Sequence, residues 1–119
     1  MGVYSFTKAN RLLKRSEFMR LSSIGSKIHN RHVTAIYYPG LTDRTRFGVT
    51  VSRKVGRAAV RNKIKRLSRE YFRLNRHTIK GVWDINIIAK KSSAELPAQE
   101  YFSSLGDIFA RISKNNDNQ

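Results

Sequence analysis

Residues 53–76, RKVGRAAVRNKIKRLSREYFRLNR, constrain the fold more than any other stretch of the chain. They hold ten of its twenty-four Lys and Arg against a single acid, Glu70. A run of like charge normally stays extended and solvated. Here, however, Val60, Ile64, Leu67, Tyr71 and Leu74 recur at spacings of four, three, four and three, the period of an amphipathic helix. At about 100° per residue the five side chains fall within roughly 80° of the circumference, and most of the remainder is basic. The spacing predicts a helix over about residues 57–75, docked by one stripe and cationic elsewhere. Such a helix suits a polyanion.

The rest of the chain cannot balance that charge. It carries only eight acids, scattered singly, and the formal net charge is +16. Self-repulsion of this size works against a compact state unless the partner is phosphate-rich. Nucleic acid is the first reading, and an anionic membrane surface is the second. The membrane reading is weaker because the basic helix lacks the exposed bulky apolar face that surface binding needs. No apolar run approaches the ~20 residues of a membrane span. The segment MGVYSFTKANRLLKR has neither the apolar core nor the cleavage site of a signal peptide. Phe6 stands where a myristoylation signal needs Ser or Thr. Without cysteine there is no disulfide framework and no thiolate zinc site. The expected address is the cytoplasm.

At 119 residues, 39% of them hydrophobic, the chain is expected to be one RNA-binding domain over residues 1–119 with a single modest core. Residues 1–15 read as a basic N-terminal arm docking through Phe6, Leu12 and Leu13, and residues 114–119 as a polar tail. Ser16 is the expected N-cap of a short first helix, with Glu17 near its positive end, Phe18, Leu21 and Ile24 on its apolar face and Gly25 as its stop. Residues 33–38 (VTAIYY) are β-branched and aromatic, hence a strand. Residues 46–52 (RFGVTVS) alternate, with Phe47, Val49 and Val51 on one face. The turn at Pro39-Gly40 suggests that these two strands form an antiparallel hairpin. A further short strand is expected near residues 26–31, another over residues 84–89, and a last helix after Pro97 with Phe102, Leu105, Phe109 and Ile112 as its stripe. The fold class is α+β, an α/β sandwich of order αβββαβα.

Arg offers a planar fork that matches phosphate oxygens, Lys a mobile point charge, and Asn an amide for ribose, phosphate or base edge. Arg53, Lys54, Arg57, Arg61, Asn62, Lys63, Lys65, Arg66 and Arg69 are therefore the candidate nucleic-acid-binding set. The run Phe47-Gly48-Val49-Thr50-Val51-Ser52-Arg53-Lys54-Val55-Gly56, followed by Ala59-Val60-Arg61-Asn62-Lys63-Ile64-Lys65-Arg66-Leu67, strongly resembles the signature of the bacterial ribonuclease P protein component. Asn10-Arg11-Leu12 with Phe18, and Ile87-Ile88-Ala89-Lys90-Lys91, resemble that family's first segment and last strand. The resemblance spans about residues 8–112. Two positions depart from it: Lys63 stands where the family core reads Arg-Asn-Arg, and Ser22 stands where a second aromatic would follow Phe18.

The resemblance implies a protein subunit that binds a large catalytic RNA, through the nucleic-acid-binding set from Arg53 to Arg69, and helps remove the 5′ leader from precursor tRNA. It implies that the RNA carries the active site and its Mg2+, so that no protein residue is catalytic and the protein alone does not cleave. It also implies a left-handed βαβ crossover of the ribosomal protein S5 domain 2-like kind, and a cleft between the sheet and the first helix for the leader. Phe18, Tyr37, Tyr38, Lys90 and Lys91 are the candidate leader-binding residues, since a single strand needs π-faces for bases and cations for its backbone. Strand alternation allows only one of Tyr37 and Tyr38 on a given face, the other being core. His29 and His32 have no further ligand nearby in sequence and read as surface residues. No paired carboxylates of a two-metal nuclease are visible, no protein-held metal is expected, and no protein partner is expected. The rival readings are a ribosomal or other structural RNA-binding protein, and an autonomous nuclease.

Overall fold

A computed structural model describes residues 10–12 and 14–117. The elements are α1 (Arg15–Ile24), β1 (Ser26–His29), β2 (Val33–Pro39), β3 (Arg46–Thr50), α2 (Ala58–Asn75), β4 (Trp83–Ala89) and α3 (Ala98–Asp117), with 3-10 turns at Arg53–Val55, Arg76–Thr78 and Lys91–Glu95. The order αβββαβα is the one expected. Phe6 and Leu13, two of the three proposed docking residues of the N-terminal arm, lie outside the described residues, as does the end of the polar tail. Leu12 is buried.

The sheet runs β1-β2-β4-β3. This corrects the expected hairpin between residues 33–38 and 46–52, because β2 pairs antiparallel with β4, and β4 pairs in parallel with β3. The chain's antiparallel hairpin is instead β1–β2, with Lys27 opposite Ile36 and His29 opposite Thr34. The physical reason lies in β4, whose Trp83, Ile85, Ile87 and Ala89 are all buried. A strand so apolar belongs at the centre of a sheet, and there it displaces β3 to the far edge. The N-terminal segment extends that edge, as the Leu12 amide donates to the Phe47 carbonyl at 3.1 Å.

One face of the sheet carries most of the core. Val33, Ala35 and Tyr37 of β2, Phe47 of β3, and Ile85 and Ile87 of β4 pack there against α2 and α3. Phe47 stacks on Phe72 with ring centroids 4.6 Å apart. The buried row of α2 is Ile64, Ser68 and Phe72, while Leu74 is exposed. The docking stripe is thus turned by about one residue from the predicted one, because α2 is wedged between the sheet and α3 and touches both. Ser68 is tolerated in that row because its hydroxyl donates to the Ile64 carbonyl at 2.8 Å and lies 2.7 Å from the Tyr101 hydroxyl. Burial pushes the Tyr101 phenol up to about 12, against a smaller lowering by Ser68.

Among the described residues the opposite face is covered by α1 and Leu12, through a cluster of Leu12, Leu21 and Ile36 with Phe18 and Ile88 at its margin. The helix begins one residue before the expected cap Ser16: Lys14 is the N-cap, and its amide donates to the Glu17 carboxylate at 3.1 Å. Gly25 ends α1 in an extended conformation rather than a left-handed one. What it provides is close approach, since a Cβ there would lie 2.6 Å from both Ile36 and the Leu21 carbonyl.

Candidate nucleic-acid interface

Two surfaces of different character sit on opposite sides of the sheet. The first is α2 with the turn before it. Arg53 and Lys54 lie in the 3-10 turn that follows β3, and Arg57 is the N-cap of α2. Arg61 is half-buried and donates from Nε to the Gly56 carbonyl at 3.2 Å. Among the described residues, Arg53, Lys54, Arg57, Lys63, Lys65, Arg66 and Arg69 form no ion pair. Five of the eight acids are spent on other arginines: Glu17 and Asp84 on Arg46, Glu70 on Arg73, Asp107 on Arg111 and Asp43 on Arg44.

Because the N-terminal segment is paired to β3, Arg11 is brought alongside α2. With Asn62, Lys65, Arg66, Arg69, Glu70 and Arg73 it lines a shallow concavity of about 340 Å³. Asn10 secures the same segment, accepting from Arg76 at 2.6 Å. Neither Arg11 nor Arg73 belonged to the set chosen from sequence. Arg73 stood in the same charged run, but Arg11 is distant in sequence, and only the edge pairing shows that it joins α2.

The second surface is the sheet face beside α1. Register places its side chains in three rows. Tyr38, Asp84 and Arg46 form the first; Lys27, Ile36, Asn86 and Gly48 form the second; His29, Thr34, Ile88 and Thr50 form the third. The Phe18 ring packs against Gly48, where an added Cβ would lie 2.5 Å from its Cε1. The second row is largely buried under α1, whereas the third is half-buried or exposed. Phe18 and Ile88 are thus the apolar wall and floor of an open shelf. Thr34 and Thr50 border it, and the Thr50 hydroxyl donates to the Asn86 side chain at 3.2 Å.

Tyr38 is on this face, 38% exposed, with the Arg20 guanidinium 5.7 Å from its ring centre. It occupies the first row, so it does not share the shelf beside Phe18. Tyr37 is removed from the candidate cleft. It faces the main core, 5% exposed, edge-on to Trp83 at 5.6 Å, and its hydroxyl accepts from the Asn115 amide. Lys90 continues the cleft-side alternation of β4. Its Nζ donates to the Asn30 carbonyl at 2.7 Å and lies 3.2 Å from His29 Nδ1. Lys91 is exposed in the following 3-10 turn. Thr34, Ile88, Thr50 and His29 were not chosen from sequence. Alternation along each strand was the available signal, but without the pairing it could not say which strands share a row.

The two surfaces meet at one edge. Parallel β3 and β4 end on the same side of the sheet, and there the turns bearing Arg53, Lys54 and Lys91 adjoin the start of α2. Among the described residues no three His, Asp or Glu side chains converge on one point. His32 Nδ1 pairs with Ser92 Oγ at 2.7 Å, apart from the His29–Lys90 contact. No helix among the described residues is long and apolar enough to cross a membrane.

Comparison with known proteins gives a consistent identity. A family model described as Ribonuclease P matches residues 6–113. The Ribonuclease P protein component of Desulforapulum autotrophicum is 50% identical over 94% of this chain and 96% of its own length. That of Desulfatibacillum aliphaticivorans is 44% identical over 96% of this chain and 97% of its own. Among solved structures, the RNase P protein of Staphylococcus aureus superposes with a TM-score of 0.80 at 31% identity, covering 90% of this chain and 97% of that one. The protein from Thermotoga maritima gives 0.80 at 30% identity, covering 86% and 96%. The chain belongs to the bacterial ribonuclease P protein component family, and as a ribonuclease P subunit it takes part in tRNA processing with an RNA partner.

Proposed function

We propose that α2 and the turn before it bind the catalytic RNA of ribonuclease P, while the shelf beside α1 holds the single-stranded 5′ leader of precursor tRNA. The observation that carries this reading is the concentration of seven cations without ion pairs on one turn and helix. Cations already paired to carboxylates would have to exchange one anion for another. These are available to phosphate, and each contact releases counterions. If about eight phosphates are neutralised, affinity falls by orders of magnitude between low and moderate salt.

The shelf suits a different partner. Phe18 offers a π-face, Ile88 an apolar floor, Thr34 and Thr50 hydroxyls, and Lys90 a cation at the rim. This combination favours an unpaired strand, since stacking on an aromatic is worth about 1–3 kcal/mol per base without sequence preference. With one surface on the ribozyme and another on the leader, the protein lowers repulsion between two polyanions and favours precursor over mature tRNA.

The active site and its Mg2+ belong, on this reading, to the RNA. Among the described residues the carboxylates do not fit a protein-held magnesium site: Glu17, Asp84, Glu70, Asp107 and Asp43 are engaged by arginines, and no three ligating side chains converge. The working compartment is the cytoplasm. Reconstitution with a bacterial ribonuclease P RNA tests the whole scheme. At limiting magnesium, adding the protein should restore removal of the leader, and protein alone should not cleave. Cleavage of precursor tRNA by protein alone would replace this reading with that of an autonomous nuclease.

A further inference from the structure

We infer that Arg46 is a positioning residue for the leader cleft, tying the first turn of α1 to β4 and thereby setting where Phe18 lies on the sheet. The inference rests on the leader reading above and extends it to residues that never touch the strand. Arg46 grips Asp84 with two nitrogens, Nε to Oδ1 at 3.0 Å and Nη2 to Oδ2 at 2.8 Å. Its remaining terminal nitrogen, Nη1, donates to Glu17 on α1. The three side chains are 12%, 4% and 24% exposed respectively. Glu17 uses its other oxygen to accept the Lys14 amide, so the same carboxylate both starts the helix and anchors it.

Phe18 is the next residue on α1, and its seat, Gly48, is two residues beyond Arg46 on the same face of β3. Two adjacent helix positions are thereby fixed to two same-face strand positions, one by an ion pair and one by a ring on bare backbone. Among the described residues the apolar cluster that holds α1 is small, Leu12, Leu21 and Ile36 with Phe18 and Ile88 at its margin, and Arg20 adds a contact over the Tyr38 ring. A partly buried ion pair is weak support for stability as such, since apolar replacements often do as well. What the guanidinium supplies is direction: a planar fork locked on Asp84 leaves one nitrogen pointing at one place, and the helix must meet it there.

The test uses the full chain assembled with a bacterial ribonuclease P RNA. Glu17→Gln is the first variant, because it leaves the Arg46–Asp84 grip intact. Precursor tRNA with a leader of several nucleotides should bind roughly three- to tenfold more weakly, the size of one local coupling. Affinity for mature tRNA, and the affinity and salt dependence of protein binding to the catalytic RNA, should not change. Arg46→Lys keeps the charge but not the fork, and should give the same selective loss. In a Phe18→Ala background, Glu17→Gln should have no further effect. If Phe18→Ala weakens precursor binding and Glu17→Gln does not, the positioning role is wrong while the leader cleft stands. If neither matters, the leader cleft itself falls. Equal losses for precursor and mature tRNA would reduce Arg46 to a general support of the fold and overturn the inference.

Discussion

The two faces of the sheet differ in how they are held, and the difference follows what each has to do. On one face α2 and α3 enclose a deep aromatic core in which Phe47, Phe72 and Phe109 meet ring to ring. On the other, among the described residues, α1 packs through a cluster of three buried side chains and is tied by one charged grip. The first arrangement gives the basic helix a rigid back, so its cations can hold a fixed spacing. The second leaves a row of the sheet uncovered and its wall adjustable by a single contact. On the proposed assignment, a polyanion is met by the firm face and a flexible strand by the lighter one.

Changes to the core should test this contrast most severely. Phe72→Ala removes a fully buried ring and should cost about 3–5 kcal/mol, whereas Leu21→Ala on the thin face should cost about 2. Denaturant titration of both variants measures the gap, and equal losses would mean that the faces are energetically alike. The pH dependence of the same face follows from Tyr101. Its phenol is raised from an ordinary 10 to about 12 by burial. The neutral form is therefore favoured in the folded state, so its stabilising effect is complete below pH 10 and is lost as pH rises from 10 to 12. The fall should reach about 2–3 kcal/mol. Tyr101→Phe should flatten that part of a stability–pH profile.

On the cationic side of α2, Arg61→Ala with Lys65→Ala should weaken binding to the catalytic RNA about 10- to 100-fold and lower the log–log salt slope by about 2. Leader discrimination should survive, and an unchanged slope would remove these residues from the interface. The smallest effect on stability is expected at the shelf. Gly48→Ala would place a methyl group 2.5 Å from the Phe18 ring. The ring can swing aside, so the cost should be only about 1–2 kcal/mol. Precursor tRNA binding should nonetheless fall, while binding to the catalytic RNA does not.

How much of this was legible in the sequence depends on how far apart the interacting residues are. The basic helix was readable to within one residue at its start, since its period and its charge are both local. The family resemblance through residues 47–67 was equally local. Strand positions were readable, but their partners were not. Residues 33–38 and 46–52 look like a hairpin because a Pro-Gly turn lies between them, yet β4 inserts from more than thirty residues later and takes the central place. From that insertion follow the rows that bring Ile88 and Thr50 beside Phe18, and the choice of Tyr38 over Tyr37 for the cleft side.

Charge showed the same limit. Glu17, Arg46 and Asp84 look like scattered single charges in sequence, and only the parallel pairing of β3 with β4 joins them. The sequence alone therefore determined the element order, the cationic amphipathic helix and the family, because helical period, charge density and a contiguous motif are written along the chain. Tertiary structure alone decided the strand order, the composition of the cleft and the grip that sets it. Those depend on contacts between residues far apart in the chain, and they are chosen by which strand can be buried on both faces.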